Sequence, residues 1–553
     1  MTQSEVRSIN GREISDNYSR NQLLNKIDKK EVDSIINKFV EINIKYPPMS
    51  MIGAKGDGVT DDSGNIKNII EYAVLNKYKK ILFPLGTYLI VNPLTLKGEL
   101  DYIGDDAVIK LNTETSYLNI SENNFTINGI TFDANNVVMR ALFVNGSENF
   151  NIRNSLFKNG TKHGLSIYNG KKIQMYNCKF ESSGRNDFMS ASCSILGSDV
   201  NVSHCEASDN RKGNGFIVYS DSTYKSNNII FSNCLAKNNI YHGIVTAHID
   251  DASNRVKNIM FNNCTTDGNG GIFEGEYMYG GIVVHDANDV IINGCISRNN
   301  YEHGIAVMDA DNVSIIGNIT DSNKRCGIRL QADWARLPQD SYSGVKNCLI
   351  TNNQCLNNGI EDKYWSSGIL IEGNCHYVTC SNNVINGNYY SIYTKAMTNF
   401  SDCTNVYLQN NTMYGNKISN GLTNTMTSGS VFGENFINGT RTKIDTVLNE
   451  QAGYVAYNIS DKLVSGKLNV ENNALYHTTI GNDVINGVTN TNMPVGTTFY
   501  ICLKSGSDQH SITVNSGNGI SLPSTLVISK ANANNEVIFK FVKTVGTGFR
   551  LIK

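Results

Sequence analysis

Asp286 and Asp309 stand 23 residues apart. Each lies five positions past the glycine of a recurring Gly-Ile phrase, Gly281-Ile282 and Gly304-Ile305. If each phrase opens a strand of one coil, the carboxylates stack at roughly 4.8 Å, the spacing of neighbouring strands. Carboxylates that close can act as acid and nucleophile of a retaining glycosidase, and a wider pair gives inversion. Proximity also separates their proton affinities, as an acid and a base require. The competing role for an Asp at a strand end is to accept turn N–H groups. His248 holds the same position one phrase earlier.

A rival acidic pair, Glu274 and Glu276, sits with Tyr277 and Tyr279 in an enlarged turn, 268–280. Two further insertions, 331–343 and 359–367, hold both tryptophans of the chain, Trp334 and Trp365. Loops on a rigid scaffold are where binding sites collect. Indole and phenol rings beside carboxylates suit sugars, whose apolar faces stack on them, although an aromatic can equally fold its own loop down. His303 directly precedes Gly304 and has the proton affinity of a base near neutral pH. His163 and His242 share that place, which argues for a turn preference. His285 lies four steps past its glycine. Arg329, two steps past Gly327, is expected to project outward, where a guanidinium can hold a sugar carboxylate bidentately. The sequence lacks zinc-type His/Cys spacing, a phosphate-binding glycine loop and a Ser-His-Asp arrangement. Asp-rich turns suit calcium, but no coil repeats a ligand set, so neither metal nor cofactor is expected.

These residues need a frame, and two phrases supply it. The Gly-Ile phrase recurs as His163-Gly-Leu-Ser-Ile167, His242-Gly-Ile-Val-Thr246, His303-Gly-Ile-Ala-Val307 and Ser367-Gly-Ile-Leu-Ile371. It alternates with a second phrase, as in Ile229-Ile-Phe-Ser-Asn-Cys234, Ile259-Met-Phe-Asn-Asn-Cys264 and Val290-Ile-Ile-Asn-Gly-Cys295. Strand chemistry at a period of about 23 to 31 residues predicts a solenoid of β coils, with at least two parallel sheets and a third expected. Cys178, Cys205, Cys234, Cys264 and Cys295 fall at one place in five successive repeats. Free Cys favours burial, so they are expected to form an inward column rather than a metal or redox ladder.

Composition agrees. The 553 residues include 48 Gly and only 7 Pro. The net charge of −2 gives no field for nucleic acid or anionic membranes. No stretch is long and apolar enough to span a bilayer, and the polar N-terminus lacks a signal-peptide core. The 13 Cys, odd in number and without paired spacing, do not form a disulfide framework.

Three regions are expected. Residues 1–48 form an N-terminal helical attachment segment, with Leu23, Leu24, Ile27, Val32, Ile35, Ile36 and Phe39 at helical spacing. A helix so short and isolated is marginal alone and calls for partners. Residues 49–440 form the solenoid, with Ser63–Lys77 as its capping helix. Residues 441–553 carry short apolar runs split by Gly, Asn and Pro turns, which suggest a small antiparallel, sandwich-like β domain.

Ile52-Gly-Ala-Lys-Gly-Asp-Gly-Val-Thr-Asp-Asp62, the helix after it and Phe83-Pro-Leu-Gly-Thr-Tyr88 resemble the opening motif of the pectate-lyase-like superfamily. The resemblance covers roughly 50–440 and implies an all-β chain built on a right-handed parallel β-helix. Asp57, Asp61 and Asp62 fall in that motif and read as turn and helix-cap residues. The superfamily holds lyases, hydrolases, esterases and epimerases, so it fixes no reaction. The whole layout is similar to phage tailspikes and tail fibres. That similarity implies a homotrimer on the phage tail or baseplate, attached through the N-terminal segment and bound to a host cell-surface polysaccharide. The expected activity is hydrolysis of glycosidic bonds. The alternatives are elimination on a uronate-containing glycan, using Arg329 with His303 or His285, and a fibre that binds without cleaving. No nucleic acid and no membrane insertion are expected.

Overall fold

The computed structural model describes residues 53–417, apart from 185–188, 211–212, 249–253, 274–275, 278–279, 333–342, 360–365 and 396–402. Beyond 417 it describes Gly433 and the strands. The N-terminal segment therefore lies outside the described residues.

The three aspartates of the opening motif are structural, as expected. Asp57 Oδ1 accepts the N–H groups of Val59 at 3.0 Å and Thr60 at 2.7 Å, forming an Asx turn. Asp61 Oδ1 accepts the Ser63 N–H at 2.9 Å, at the mouth of the helix Ser63–Leu75. Asp62 turns back instead and binds the N–H groups of Lys55 at 2.8 Å and Gly56 at 3.0 Å. Ile66, Ile69, Ile70 and Ala73 share one core with Ile81, Phe83 and Leu94, so this helix covers the open end of the first coil. It stops short of Lys77 because that residue adopts the left-handed conformation, φ 57°, which ends helices.

The strands up to Thr442 that follow belong to a right-handed parallel β-solenoid of about 12 turns. Full coils carry three strands, such as Ile282–His285, Ala287–Asn293 and Ile296–Arg298, followed by Ile305–Met308, Asp311–Ile316 and Ile319–Asp321. The third sheet expected from the phrases is therefore present. Each strand pairs in parallel with its counterpart one coil on, Ile282 with Ile305 and Ile305 with Ile328. Identical side chains stack inside: Phe125 on Phe150 at 4.7 Å and Phe132 on Phe157 at 5.0 Å between ring centroids.

The second phrase turns each coil. Asn177, Asn233 and Asn263 take left-handed φ of 51–54°, a conformation Asn tolerates because its short side chain bonds locally. The five cysteines follow these turns, and all five are buried, as expected of an inward column. Further along the rod the same place holds Asn. Cys295 N–H donates to Asn318 Oδ1 at 2.8 Å, and the amides of Asn318, Asn353, Asn383, Asn411 and Asn435 then bond each to the next at 2.8–3.0 Å. A parallel stack lets every buried amide donate forward and accept from behind, which is how so many stay satisfied in a core.

The Gly-Ile phrase uses glycine for a close approach. A Cβ on Gly281 would stand 2.2 Å from the Gly304 carbonyl of the next coil and 2.1 Å from Ser297 Oγ. Gly281→Ala is expected to destabilise the rod by about 1–3 kcal/mol, the usual range for overpacking. The check is a fall in the urea midpoint at unchanged slope.

The C-terminal strands differ from the expected antiparallel set. Thr498–Leu503 pairs antiparallel with Val537–Lys543 but parallel with Ala474–Thr478. The sheets there are mixed, a distinction that strand alternation alone does not carry.

Candidate functional site

The site grows from one corner of the coil, between its first and second strands. Asp286 and Asp309 are the corner residues of successive coils, with φ of 54° and 49°. Asp accepts this left-handed geometry more readily than most residues. The backbone ladder continues through the corner: Asp286 N–H donates to Met308 O at 3.2 Å and Val256 N–H to Asp286 O at 3.1 Å. The corners therefore stack, as the 23-residue spacing predicts.

Four side chains meet there. The donor atoms of His285, Asp286 and Asp309 all lie within 4.8 Å of one another. His248 Nδ1 is 2.5 Å from Asp286 Oδ2, and His285 Nε2 is 3.2 Å from the same oxygen. Asp309 Oδ1 accepts the Gly344 N–H at 2.6 Å. Thr246 fixes the His285 backbone, because its hydroxyl accepts the His285 N–H and donates to the His285 carbonyl, both at 2.9 Å. Both carboxylates are fully buried, whereas the His248 and His285 side chains are 20% and 17% exposed.

Beside this corner the outer face of the first sheet is apolar and buried. Ile217, Val245, Val283 and Ala306 align across successive strands and pack with Ala247 and Met308. Arg329 continues the same column after Ala306. It is only 5% exposed, and its Nε donates to Glu372 Oε1 at 2.9 Å. Its Nη1 lies 2.9 Å from His303 Nε2. A guanidinium only donates, so His303 accepts there. Burial and the Arg329 and Arg325 cations hold the His303 imidazole well below its usual range. Glu302 is buried alongside, 2.6 Å from Arg325 Nη1, and burial pushes its carboxyl up against the pull of Arg325 and Arg329.

Of the residues expected from sequence, the structure brings together Asp286, Asp309 and His285. It engages two others with buried partners. His303 is fully buried and engaged with Arg329, so the surface base expected there is instead a neutral structural acceptor. Arg329 does lie on the outer side, but it is buried against Glu372 rather than presented to a sugar carboxylate. Glu276 and Tyr277 form a two-residue strand paired antiparallel with Ile272–Phe273, and their side chains lie outside the described set. Glu274, Tyr279, Trp334 and Trp365 lie outside the described residues altogether. Sequence reasoning missed the roles of His248 and Glu372. The signal for both was the phrase alignment, which puts His248 in the corner column of Asp286 and Glu372 in the column of His285.

Fold and site together define the class: a right-handed parallel β-helix carrying a carboxylate–imidazole cluster at a sheet corner. Residues 50–269 match the family model described as rhamnogalacturonase A/epimerase, pectate lyase-like, and 273–404 match the right-handed beta helix region. A capsule K30/K69-specific depolymerase of Klebsiella phage K64-1 is 26% identical over 257 residues, 40% of this chain and 32% of that protein. The match thus spans about a third of the relative's length. The N-terminal fragment of bacteriophage phi29 gene product 12 has a TM-score of 0.55 at 17% identity, over 83% of this chain and 79% of that one. The pre-mature form of gene product 12 scores 0.51 at 16% identity, over 83% and 63%. Both share the fold.

Proposed function

We propose that this chain is a phage tail-associated depolymerase that hydrolyses glycosidic bonds of a host cell-surface polysaccharide. The observation that carries the reading is the Asp286–Asp309 pair, with donor oxygens within 4.8 Å and imidazoles alongside. Acid/base hydrolysis of a glycoside needs two carboxyl groups near one bond. The similarity to a phage depolymerase supports the substrate class. Asp309 transfers the proton, and Asp286 is held between His248 and His285 as its charged partner. In this reading the chain acts as a homotrimer on the virion tail, attached through residues 1–48.

One observation favours elimination instead: the imidazoles, not the carboxylates, are the exposed members of the cluster. A base drawn from His285 or His248 fits that order. Burial of Arg329 against Glu372 argues the other way, because elimination needs a cation at the uronate.

Purified capsular and other surface polysaccharides, incubated with the chain, decide the matter. New reducing ends without unsaturation are the expected result. Unsaturated uronate in the products would establish elimination, and binding without cleavage would leave a receptor-binding fibre. Light scattering is expected to give three chains per particle, and a clean monomer at micromolar concentration would defeat the trimer.

A further inference from the structure

We infer that the corner formed by His248, His285, Asp286 and Asp309 is a binding site for one divalent transition-metal ion of the zinc type. The inference concerns the metal-loaded corner: an ion bound there takes the Asp309 carboxylate as a ligand, so the proton transfer proposed for Asp309 belongs to the metal-free corner.

Charge supplies the first argument. A divalent cation with two carboxylates and two neutral imidazoles sums to zero, which is the condition for burying an ion. Donor chemistry supplies the second. Two nitrogens and two oxygens suit zinc and its neighbours, which accept imidazole and carboxylate in four-coordinate sites. Calcium takes six to eight oxygens, more than this corner offers among the described residues.

Geometry supplies the third. Bonds of about 2.0 Å in a tetrahedron put neighbouring donors about 3.3 Å apart. His285 Nε2 and Asp286 Oδ2 are separated by 3.2 Å, one edge of such a polyhedron. His248 Nδ1, at 2.5 Å from the same oxygen, would have to draw back by roughly 0.8 Å on the same geometry. Asp309 lies within 4.8 Å of both His285 and Asp286, and His248 joins the three through Asp286. The outer shell is built as metal sites require. The Gly344 N–H holds Asp309, and the Thr246 hydroxyl holds the His285 backbone. Partial exposure of both imidazoles leaves a way in.

The test uses the full chain, stripped with a chelator and titrated with zinc chloride or calcium chloride in a calorimeter. One zinc per chain is expected, with calcium failing to compete. His285→Gln and Asp309→Asn should each weaken zinc binding by at least about tenfold, the low end for disturbing a metal site. Cobalt(II) should give visible ligand-field bands without thiolate charge transfer, which separates this corner from the buried free cysteines. Thermal melts confirm that each variant is folded, and His248→Gln replaces any that is not. No zinc uptake, uptake indifferent to these variants, or a thiolate spectrum would each overturn the inference. Because no polysaccharide is used, a failure here leaves the depolymerase reading standing, and the reverse holds too.

Discussion

Asp309→Asn should slow depolymerisation by at least about a hundredfold, the usual scale for losing a general acid or base. The substitution is nearly isosteric, and the amide oxygen can still accept the Gly344 N–H that Asp309 Oδ1 takes at 2.6 Å. What disappears is the charge and the transferable proton. The melting temperature should hold, so a drop in rate would report chemistry rather than folding. Asp286→Asn should behave differently. Its oxygen can still accept from His248 and His285, but the charge between them is gone, so the loss reports on the partner carboxylate rather than on the transferred proton. Rates of reducing-end release for the two variants measure both effects. Full activity in both variants would clear the pair and direct attention to Glu274 and Glu276.

Much of this arrangement is written in repeating local signals. Asn-Cys and Asn-Asn at fixed intervals mark left-handed turns followed by an inward residue, and the parallel stack makes each position predict its counterpart one coil away. The corner column of His248, Asp286 and Asp309 is legible for the same reason. The interactions of that column are less so. His248 and Asp286 are 38 residues apart, and Arg329 and Glu372 are 43. Such pairs cross an insertion whose length is not fixed by the repeat. Alternation gives Arg329 its outward parity, yet parity says nothing about what covers that face. The apolar column of Ile217, Val245, Val283 and Ala306 is buried although it faces away from the coil interior. Burial there turns a surface arginine into half of an ion pair and a nearby histidine into its neutral acceptor.

That ion pair gives a large expected effect on stability. Glu372 is fully buried and Arg329 nearly so. Two nitrogens of the guanidinium converge on Glu372 Oε1, while Oε2 is buried without a hydrogen-bond partner among the described residues. Removing the carboxylate takes from the buried guanidinium the anion that two of its nitrogens hold. His303 cannot take up the charge, since it is neutral and repelled by the same guanidinium. Glu372→Ala should therefore cost about 3–5 kcal/mol, the range for breaking one side of a buried pair. Removing both charges is a different matter, because a buried pair spends much of its attraction on desolvation. The double change Arg329→Met with Glu372→Leu keeps volume and removes both ions, so it should recover most of that loss. Urea denaturation of the two single variants and the double variant gives the coupling directly. If Glu372→Ala unfolds at the wild-type midpoint, the pair is not holding the sheet face, and Arg329 becomes available again as a ligand for an acidic sugar.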